Sequence, residues 1–384
     1  MSQRGHRAIS ALQSCFRLLT AKKSLFMRDV KITYFWVFNI KIIAHWRFIR
    51  VVIMRAPFFI FSDGEMVRDQ NTVLFVEKSG QKRRLPVEMI SDIFLLGNVD
   101  ISKNLIVYLS RKGVLIHFFD FHGGYLGTYY PFEFNSHGKT LIKQVEFFID
   151  ERKRLDLAIR FVRGATLNML TVLKYYNRRG KNLAFYIEQI EKLAEQLDFQ
   201  ESQEDLLALE GKIWECYYKS FEVIIDKEDF AFEYRSRKPP HNPLNALISF
   251  GNALLYSYVL SEIYKTHLDP RIGYLHSPID KKLTLHLDIA EVFKPLIPHR
   301  VIFSLVNKNV IKAEHFRKEG GGVYLNRHGL SLFSEEFEKK MNEIFYDREK
   351  KVYLTYRMLL RREALKLEKH LLGIREFIPF LSRW

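Results

Sequence analysis

The stretch from Asn242 to Pro295 places the strongest constraint on how this chain can fold. It contains an apolar helix with polar flanks, a loop rich in proline and glycine that presents His276, and a short helix that carries Asp288 and Glu291. Residues three apart on a helix share a face, so both carboxylates leave the short helix on the same side. With an imidazole across the loop, this pair predicts a site for a hard divalent cation.

A third carboxylate, Glu210, lies in the helical segment ALEGKIWECYYKSF and is followed directly by Gly211. Glycine weakens a helix by about 1 kcal/mol relative to alanine, so it indicates close approach of a ligand or of another backbone. Each side chain also has an ordinary interpretation: Glu210 as a surface residue, His276 as a cap or core histidine, and the acidic pair as a solvated helix face. However, LTLHLDIAEVF is apolar on several sides, and a cation would relieve the cost of unpaired carboxylates there.

The donor types favour Mg²⁺ or Mn²⁺. One imidazole with two or three carboxylates matches no structural zinc site, since those sites usually use thiolates. Oxygen ligation with open positions suits a hard cation that assists phosphoryl transfer. A di-iron carboxylate site is disfavoured because paired Glu-x-x-His motifs are absent from the sequence.

Two further groups of side chains could surround the ion. Tyrosines could orient a phosphate or stack on an unpaired base, and the candidates are Tyr217, Tyr218, Tyr234 and Tyr256. Cations could contact phosphates, and the candidates are Arg235, Arg237, Lys238, Lys281 and Lys282. Core packing for a tyrosine and a solvated surface position for a cation are the alternatives.

The formal net charge of +16 is unevenly distributed. Residues 1–53 hold ten Lys and Arg and one acid, so the rest of the chain carries a moderate +7, which favours a polyanionic partner without requiring one. Charged residues interrupt the apolar run before Met54, and no window reaches the roughly 18 to 20 apolar residues of a membrane span. We therefore expect residues 1–53 to be an upstream extension of a protein that begins at Met54, with an interfacial helix as the alternative. Two cysteines suit a reducing, cytoplasmic location.

The hydrophobic pattern divides the chain into a β-rich part and a helical part. Short runs of branched and aromatic residues predict strands from about residue 55 to 130, with hairpin turns at Asp63-Gly64 and Ser79-Gly80. From about residue 136 the period is helical. A glycine-rich loop or small hairpin is expected at 318–329, and one long charged helix from Ser334 to Leu372.

Several motifs in a fixed order make this chain resemble a known family. They are FSDGE, LSRKGVLIHFFDFHGGYLGTYYP, LEGKIWECYY, NPLNALISFGNALLY, LDPRIGYLHSP, LTLHLDIAEVFKP and EFIPFLSRW. In this order and spacing, from Met54 to Trp384, they are similar to the CRISPR-associated adaptation integrases, nucleases that insert new spacers into CRISPR arrays.

The resemblance implies an α+β fold and a ligand set. An N-terminal β-sandwich-like domain, residues 54–135, would pair protomers, and a larger all-α catalytic domain would follow over residues 136–384. Carried across residue by residue, the metal ligands would be Glu210, His276 and Glu291. Asp288 corresponds to a supporting acidic position, and we include it with Tyr256 among the candidate catalytic residues.

The reaction that the resemblance implies is a metal-assisted transesterification, in which a DNA 3′-hydroxyl attacks a phosphodiester at the end of a repeat. The implied partners are double-stranded and branched DNA, a second copy of the chain in a homodimer, and a small ferredoxin-like adaptation protein, without a membrane.

Two alternatives stay open. One is a non-catalytic nucleic-acid-binding scaffold with a structural acidic cluster, and the other is a peripheral membrane protein anchored through residues 31–53.

Overall fold

The computed structural model describes residues 40–45, 48–53, 55–131, 137–277, 283–347 and 351–382. Over residues 40–53 it describes backbone pairing only, in which strands β1 (Ile40–His45) and β2 (Phe48–Ile53) run antiparallel. The expected extension over residues 1–53 and the start at Met54 fall mostly outside this description and stay predictions.

Residues 56–129 form two sheets and one helix. The elements are β3 (Ala56–Ile60), β4 (Gly64–Asp69), β5 (Thr72–Glu77), β6 (Lys82–Pro86), β7 (Ile90–Leu95), β8 (Val99–Ile101), α1 (Lys103–Arg111), β9 (Leu115–Phe119) and β10 (Tyr125–Tyr129). The first sheet has the order β10-β9-β7-β3 and the second β6-β5-β4-β8. Strand β7 runs parallel to both of its neighbours, whereas β9 and β10 are antiparallel.

The first sheet contributes to two different cores. Ile93 packs with Met66 and Val73 of the second sheet, so the two sheets enclose a core of their own. Because successive residues of a strand point to opposite faces, the adjacent Phe94 faces the other way. It joins the core of the helical region, where its ring centroid lies 5.1 Å from that of Tyr258. The predicted sandwich-like N-terminal part is confirmed.

The rest of the described chain is mainly helical, which confirms the α+β class. Its helices are α2 (Gly138–Ile149), α3 (Glu151–Asn177), α4 (Ala184–Glu195), α5 (Gln203–Lys219), α6 (Phe221–Ile225), α7 (Pro243–Ile263), α8 (Leu285–Phe293), α9 (Pro298–Asn307), α10 (Arg327–Met341) and α11 (Tyr356–Leu371). Two antiparallel hairpins lie among them, β11 (Phe316–Glu319) with β12 (Gly322–Leu325), and β13 (Ile344–Asp347) with β14 (Val352–Thr355).

Helix α7 is the apolar helix predicted at the centre of the fold. Asn242 caps its start by accepting a hydrogen bond from the Asn245 amide, and Pro243 occupies the first turn. By length and composition it is the one helix in the described residues that could cross a membrane, but 89% of that apolar window is buried inside the protein. Packing against neighbouring helices therefore accounts for its apolar composition.

The predicted hairpin turn at Asp63-Gly64 is wrong. Strands β3 and β4 belong to different sheets, and Gly64 begins β4 rather than joining two paired strands. A Cβ atom at Gly64 would lie 2.3 Å from the carbonyl oxygen of Val76, so this glycine permits close approach of β5. The turn between β4 and β5 instead uses Gln70 at a φ of 51°. The predicted turn at Ser79-Gly80 is confirmed between β5 and β6, with Gly80 at a φ of 85°.

The predicted single helix from Ser334 to Leu372 is also wrong, because the hairpin β13–β14 separates α10 from α11. Phe345 pairs across the hairpin with the buried Leu354 and packs against the core, so apolar alternation wins over helical propensity there. Thr355 then caps α11 by accepting a hydrogen bond from the Met358 amide.

Candidate active site

One cavity of about 1770 Å³ collects most of the predicted site residues. Its walls come from the β9–β10 turn, helices α5, α7 and α8, the segment before α7, the loop that carries His276 and the β11–β12 hairpin. Four of the five candidate catalytic residues line it: Glu210, Tyr256, His276 and Glu291. Asp288 lies behind the wall, fully buried.

Glu210 is positioned by α5, whose first turn is capped by the Ser202 hydroxyl oxygen. Burial, and next the negative charge of Glu291, raise the pKa of Glu210 to about 7, against the opposing effects of Lys294 and His276. A Cβ atom at Gly211 would meet open space, so no other backbone approaches there. The glycine is exposed and lines the cavity, so both a ligand contact and an incidental surface glycine remain compatible with its position.

One of the two carboxylate oxygens of Glu291 is paired with a cation of the protein itself. The Lys294 ammonium, one helical turn later on the same chain segment, donates a hydrogen bond to Glu291 Oε1. Glu291 Oε2 is buried and has no hydrogen-bond partner among the residues that the structure describes. Burial lowers the pKa of Lys294, but the charge of Glu291 outweighs it and raises that pKa above its usual range. Lys294 also lies 5.3 Å from the ring centre of Trp214 and 5.4 Å from that of Tyr256.

Asp288 holds the loop that presents His276. Its Oδ2 accepts hydrogen bonds from the amides of Tyr274, at 2.5 Å, and Leu275, at 3.1 Å. Its Oδ1 accepts one from the His276 amide at 3.0 Å and lies 2.8 Å from His276 Nδ1. An ionised carboxylate beside Nδ1 favours the proton on that nitrogen, which leaves the Nε2 lone pair for a ligand. Asp288 is therefore a positioning residue.

The types of donor atom suit a hard cation, but the side chains are not grouped closely around one position. Among the described residues, no three His, Cys, Asp or Glu side chains are grouped closely enough to hold an ion. Yet two carboxylates and an imidazole share one cavity, one buried carboxylate oxygen has no partner, and carboxylate repulsion helps to raise the pKa of Glu210. A divalent cation between them would satisfy that oxygen and remove the repulsion.

The predicted phosphate-contacting residues divide into three groups. Tyr218, Tyr234, Arg235, Arg237 and Lys238 line the cavity. Tyr217 is fully buried and does not line the cavity, so of its two interpretations the structure supports core packing. Lys281 and Lys282 lie outside the described residues.

Among the cavity residues that sequence reasoning missed, Lys294 and Trp214 lie beside the candidate carboxylates. Lys294 lies three residues after Glu291, the spacing that already linked Asp288 to Glu291, so the signal was present. Trp214 lies four residues after Glu210 and lines the same cavity. Helical spacing from an identified ligand therefore finds both.

Comparisons with known proteins show the family of this chain. The family model described as CRISPR associated protein Cas1 matches residues 58–339. A CRISPR-associated endonuclease Cas1 from Thermodesulfovibrio yellowstonii is 42% identical over 331 residues, which cover 86% of this chain and 100% of that relative.

Solved structures show the same architecture. A Cas1 protein from Thermotoga maritima superimposes with a TM-score of 0.75 at 38% identity, covering 84% of this chain and 98% of that one. A casposase bound to integration product has the same fold, with a TM-score of 0.77 at 20% identity over 86% of this chain and 94% of that one. The chain belongs to the CRISPR-associated protein Cas1 family.

Proposed function

We propose that this protein is a metal-dependent DNA endonuclease and integrase that inserts spacer DNA into a CRISPR array by transesterification. The observation that carries the proposal is the shared cavity of Glu210, His276 and Glu291, in which one carboxylate oxygen has no partner. Membership of the Cas1 family, whose relative from Thermodesulfovibrio yellowstonii is named an endonuclease, supports the same activity.

Glu210, Glu291 and His276 Nε2 would hold Mg²⁺ or Mn²⁺. Such an ion supplies Lewis-acid chemistry, since it lowers the pKa of a bound hydroxyl and offsets charge on a phosphodiester. Asp288 holds the His276 ring in the required orientation. Arg235 is fixed beside the cavity by a hydrogen bond of 2.9 Å to Ser249 Oγ and one of 3.0 Å to Asn245 Oδ1, in position to hold a DNA phosphate.

The substrates in this proposal are double-stranded and branched DNA. The active form is a homodimer paired through the β-rich N-terminal part and bridged by a small ferredoxin-like adaptation protein, in the cytoplasm. Casposase of the same fold bound to integration product supports the DNA substrate. The homodimer and the small partner protein rest on the family resemblance.

A gel assay tests the proposal directly. Branched DNA with a labelled strand is incubated with the full chain in EDTA, and then with added Mg²⁺ or Mn²⁺. We expect cleavage and strand-transfer products only with metal, and none from Glu210→Ala, His276→Ala or Glu291→Ala. Lys192→Ala, which removes an exposed ion pair with Glu188 on α4, serves as the matched control. Full activity in all three site variants would refute the proposal.

A non-catalytic DNA-binding scaffold is the second candidate. It is favoured by the hydrogen bond between Lys294 and Glu291, which neutralises one carboxylate without a metal. A scaffold would bind DNA with an affinity that falls steeply with salt, yet form no metal-dependent product. The same gel assay, combined with a salt titration of binding, distinguishes the two functions.

A further inference from the structure

The rim of the cavity carries an exposed phenylalanine that the proposed reaction does not use. Phe121 lies in the turn between β9 and β10, next to Asp120 and His122, which line the cavity. Its side chain is 52% exposed. Single exposed apolar rings are common on protein surfaces, so what distinguishes Phe121 is the set of contacts that hold it beside the cavity.

The ring of Phe121 is held in place. The Arg317 guanidinium lies 3.5 Å from the ring centre and donates a hydrogen bond of 3.0 Å to the Phe121 carbonyl oxygen. Beside it, the rings of His122 and Tyr324 lie 4.0 Å apart. These contacts tie the β9–β10 turn to the β11–β12 hairpin across the cavity rim.

The turn itself is rigid. Asp120 Oδ1 accepts hydrogen bonds of 2.8 Å from the amides of both His122 and Gly124. Gly123 adopts a φ of 80°, and a Cβ atom there would lie 2.7 Å from a ring carbon of Phe250 on helix α7. The turn is therefore seated on the central helix, and little conformational entropy would be lost when Phe121 receives a ligand.

The chemistry of the rim matches an unpaired nucleobase. Arg317 lies over the Phe121 ring, and about half of the residue's surface remains exposed to solvent. Six Lys or Arg and five Asp or Glu side chains line the adjacent cavity. Three of the cations, Arg235, Arg237 and Lys238, lie within four consecutive residues before α7, so this part of the wall favours a polyanion. An aromatic face beside a basic groove is the arrangement that binds single-stranded DNA.

We propose that Phe121 stacks on an unpaired base of the DNA strand that enters the cavity, and so favours DNA ends with a single-stranded overhang. This inference rests on the proposed function only in taking DNA as the ligand. The aromatic ring binds the base, and Arg317 keeps the ring in its stacking position.

Photocrosslinking in EDTA tests the proposal without any need for catalysis. The full chain is mixed with a duplex whose 3′ overhang carries 5-iodouracil at successive positions, and the crosslinked peptide is identified by mass spectrometry. We expect crosslinking to Phe121 from one overhang position. In binding titrations, Phe121→Leu should weaken the affinity for overhang DNA by roughly 5- to 100-fold and leave that for blunt duplex unchanged.

Two variants control the measurement. Phe121→Tyr keeps the aromatic face and should keep both crosslink and affinity. Phe199→Leu alters a phenylalanine that is 79% exposed but does not line the cavity, and should change neither. Melting temperatures check that Phe121→Leu remains folded. Three outcomes would each overturn the proposal. They are the absence of the crosslink, an equal loss of affinity for overhang and blunt DNA in Phe121→Leu, and a changed oligomeric state with unchanged DNA affinity. A crosslink to Phe121 without metal-dependent cleavage would instead refute only the proposed function.

Discussion

Two groups of titratable side chains in this protein differ in their surroundings. The cavity group consists of Glu210, His276, Glu291 and Lys294. The domain-contact group consists of Asp92, His117, Glu338 and Arg357, and it lies where the first sheet meets helices α10 and α11. Asp92 is 1% and Glu338 2% exposed, whereas the cavity group faces an open space of about 1770 Å³.

In the domain-contact group, protein cations stand beside both acids. Arg357 Nη1 lies 3.5 Å from Asp92 Oδ2, and Arg357 Nη2 lies 3.3 Å from Glu338 Oε1. Burial raises the pKa of Asp92, but the neighbouring His117 ring, whose Nε2 lies 3.7 Å from Asp92 Oδ1, and nearby positive charges hold it below its usual range. Among the described residues, neither Asp92 oxygen has a hydrogen-bond partner. Glu338 also accepts a hydrogen bond of 2.6 Å from Asn342.

In the cavity group, Lys294 pairs with one oxygen of Glu291, the other oxygen has no partner among the described residues, and the pKa of Glu210 is raised to about 7. Burial also raises the pKa of Glu338 in the domain-contact group, so a raised pKa does not distinguish the two groups. The difference is access: Asp92 and Glu338 are enclosed beside Arg357, whereas Glu210 and Glu291 face an open cavity that a cation could enter.

Of all the variants, Glu210→Gln should have the largest effect on DNA cleavage. A small effect would contradict the distinction between the two groups. Removing a proposed metal ligand is expected to lower DNA cleavage on the order of 1000-fold. The folded-state pKa of Glu210 lies above its ordinary 4.5, so the metal-free wild type should lose stability as pH rises from about 4.5 to beyond 7. The glutamine variant should lack this loss.

Thermal melting from pH 4 to 9, in EDTA and in Mn²⁺, measures both parts of that prediction. Metal should raise the wild-type melting temperature more at pH 8 than at pH 5, since it binds the ionised carboxylates. Equal metal stabilisation of the wild type and the glutamine variant would contradict the assignment.

Arg357→Met tests the domain-contact group. It leaves Asp92 and Glu338 buried without their shared cation, so we expect the free energy of unfolding to fall by about 3–5 kcal/mol. Denaturant titration measures it. Arg84→Met, which removes an exposed ion pair with Asp69, is the matched control and should cost about 0–1 kcal/mol. A loss no larger than that of the control would show that the group does not stabilise the domain contact.

Asp288→Asn should have an intermediate effect. An amide group in place of the carboxylate cannot accept all four hydrogen bonds from the His276 loop, so the imidazole loses its fixed orientation. We expect metal affinity in the cleavage assay to fall about 10- to 100-fold. The metal concentration at half-maximal rate gives the measurement, and added metal should partly restore the rate. An unchanged metal requirement would argue against the positioning role.

Tyr256→Phe should have the smallest effect. The phenyl ring keeps the face that lies 5.4 Å from the Lys294 ammonium, so we expect the cleavage rate to change by less than about fivefold. Tyr256→Ala removes that face and should lower the rate further. A loss in Tyr256→Phe as large as that in Glu210→Gln would place the hydroxyl at the reacting atoms.

Structural features that depend on neighbours in the sequence could be predicted from the sequence. The spacing of Asp288 and Glu291 correctly predicted a short helix, which the structure places at Leu285–Phe293. Patterns failed where distant packing decided the outcome. The Asp63-Gly64 pair is typical of a hairpin turn, but sheet pairing assigned the flanking strands to different layers. The sequence left Tyr217 as a candidate for either a ligand contact or core packing, and the helical core buries it completely.

The sequence by itself determined the residue types, the short helix that carries Asp288 and Glu291, the division into β-rich and helical parts, and the resemblance to one family. Only the tertiary structure decided that Glu210 on α5 shares a cavity with His276 and Glu291, that Asp288 faces the loop backbone, and that Lys294 neutralises one carboxylate oxygen. The physical reason is that periodicity indicates which side of a helix is buried, whereas the packing of the whole core decides which side chains meet there.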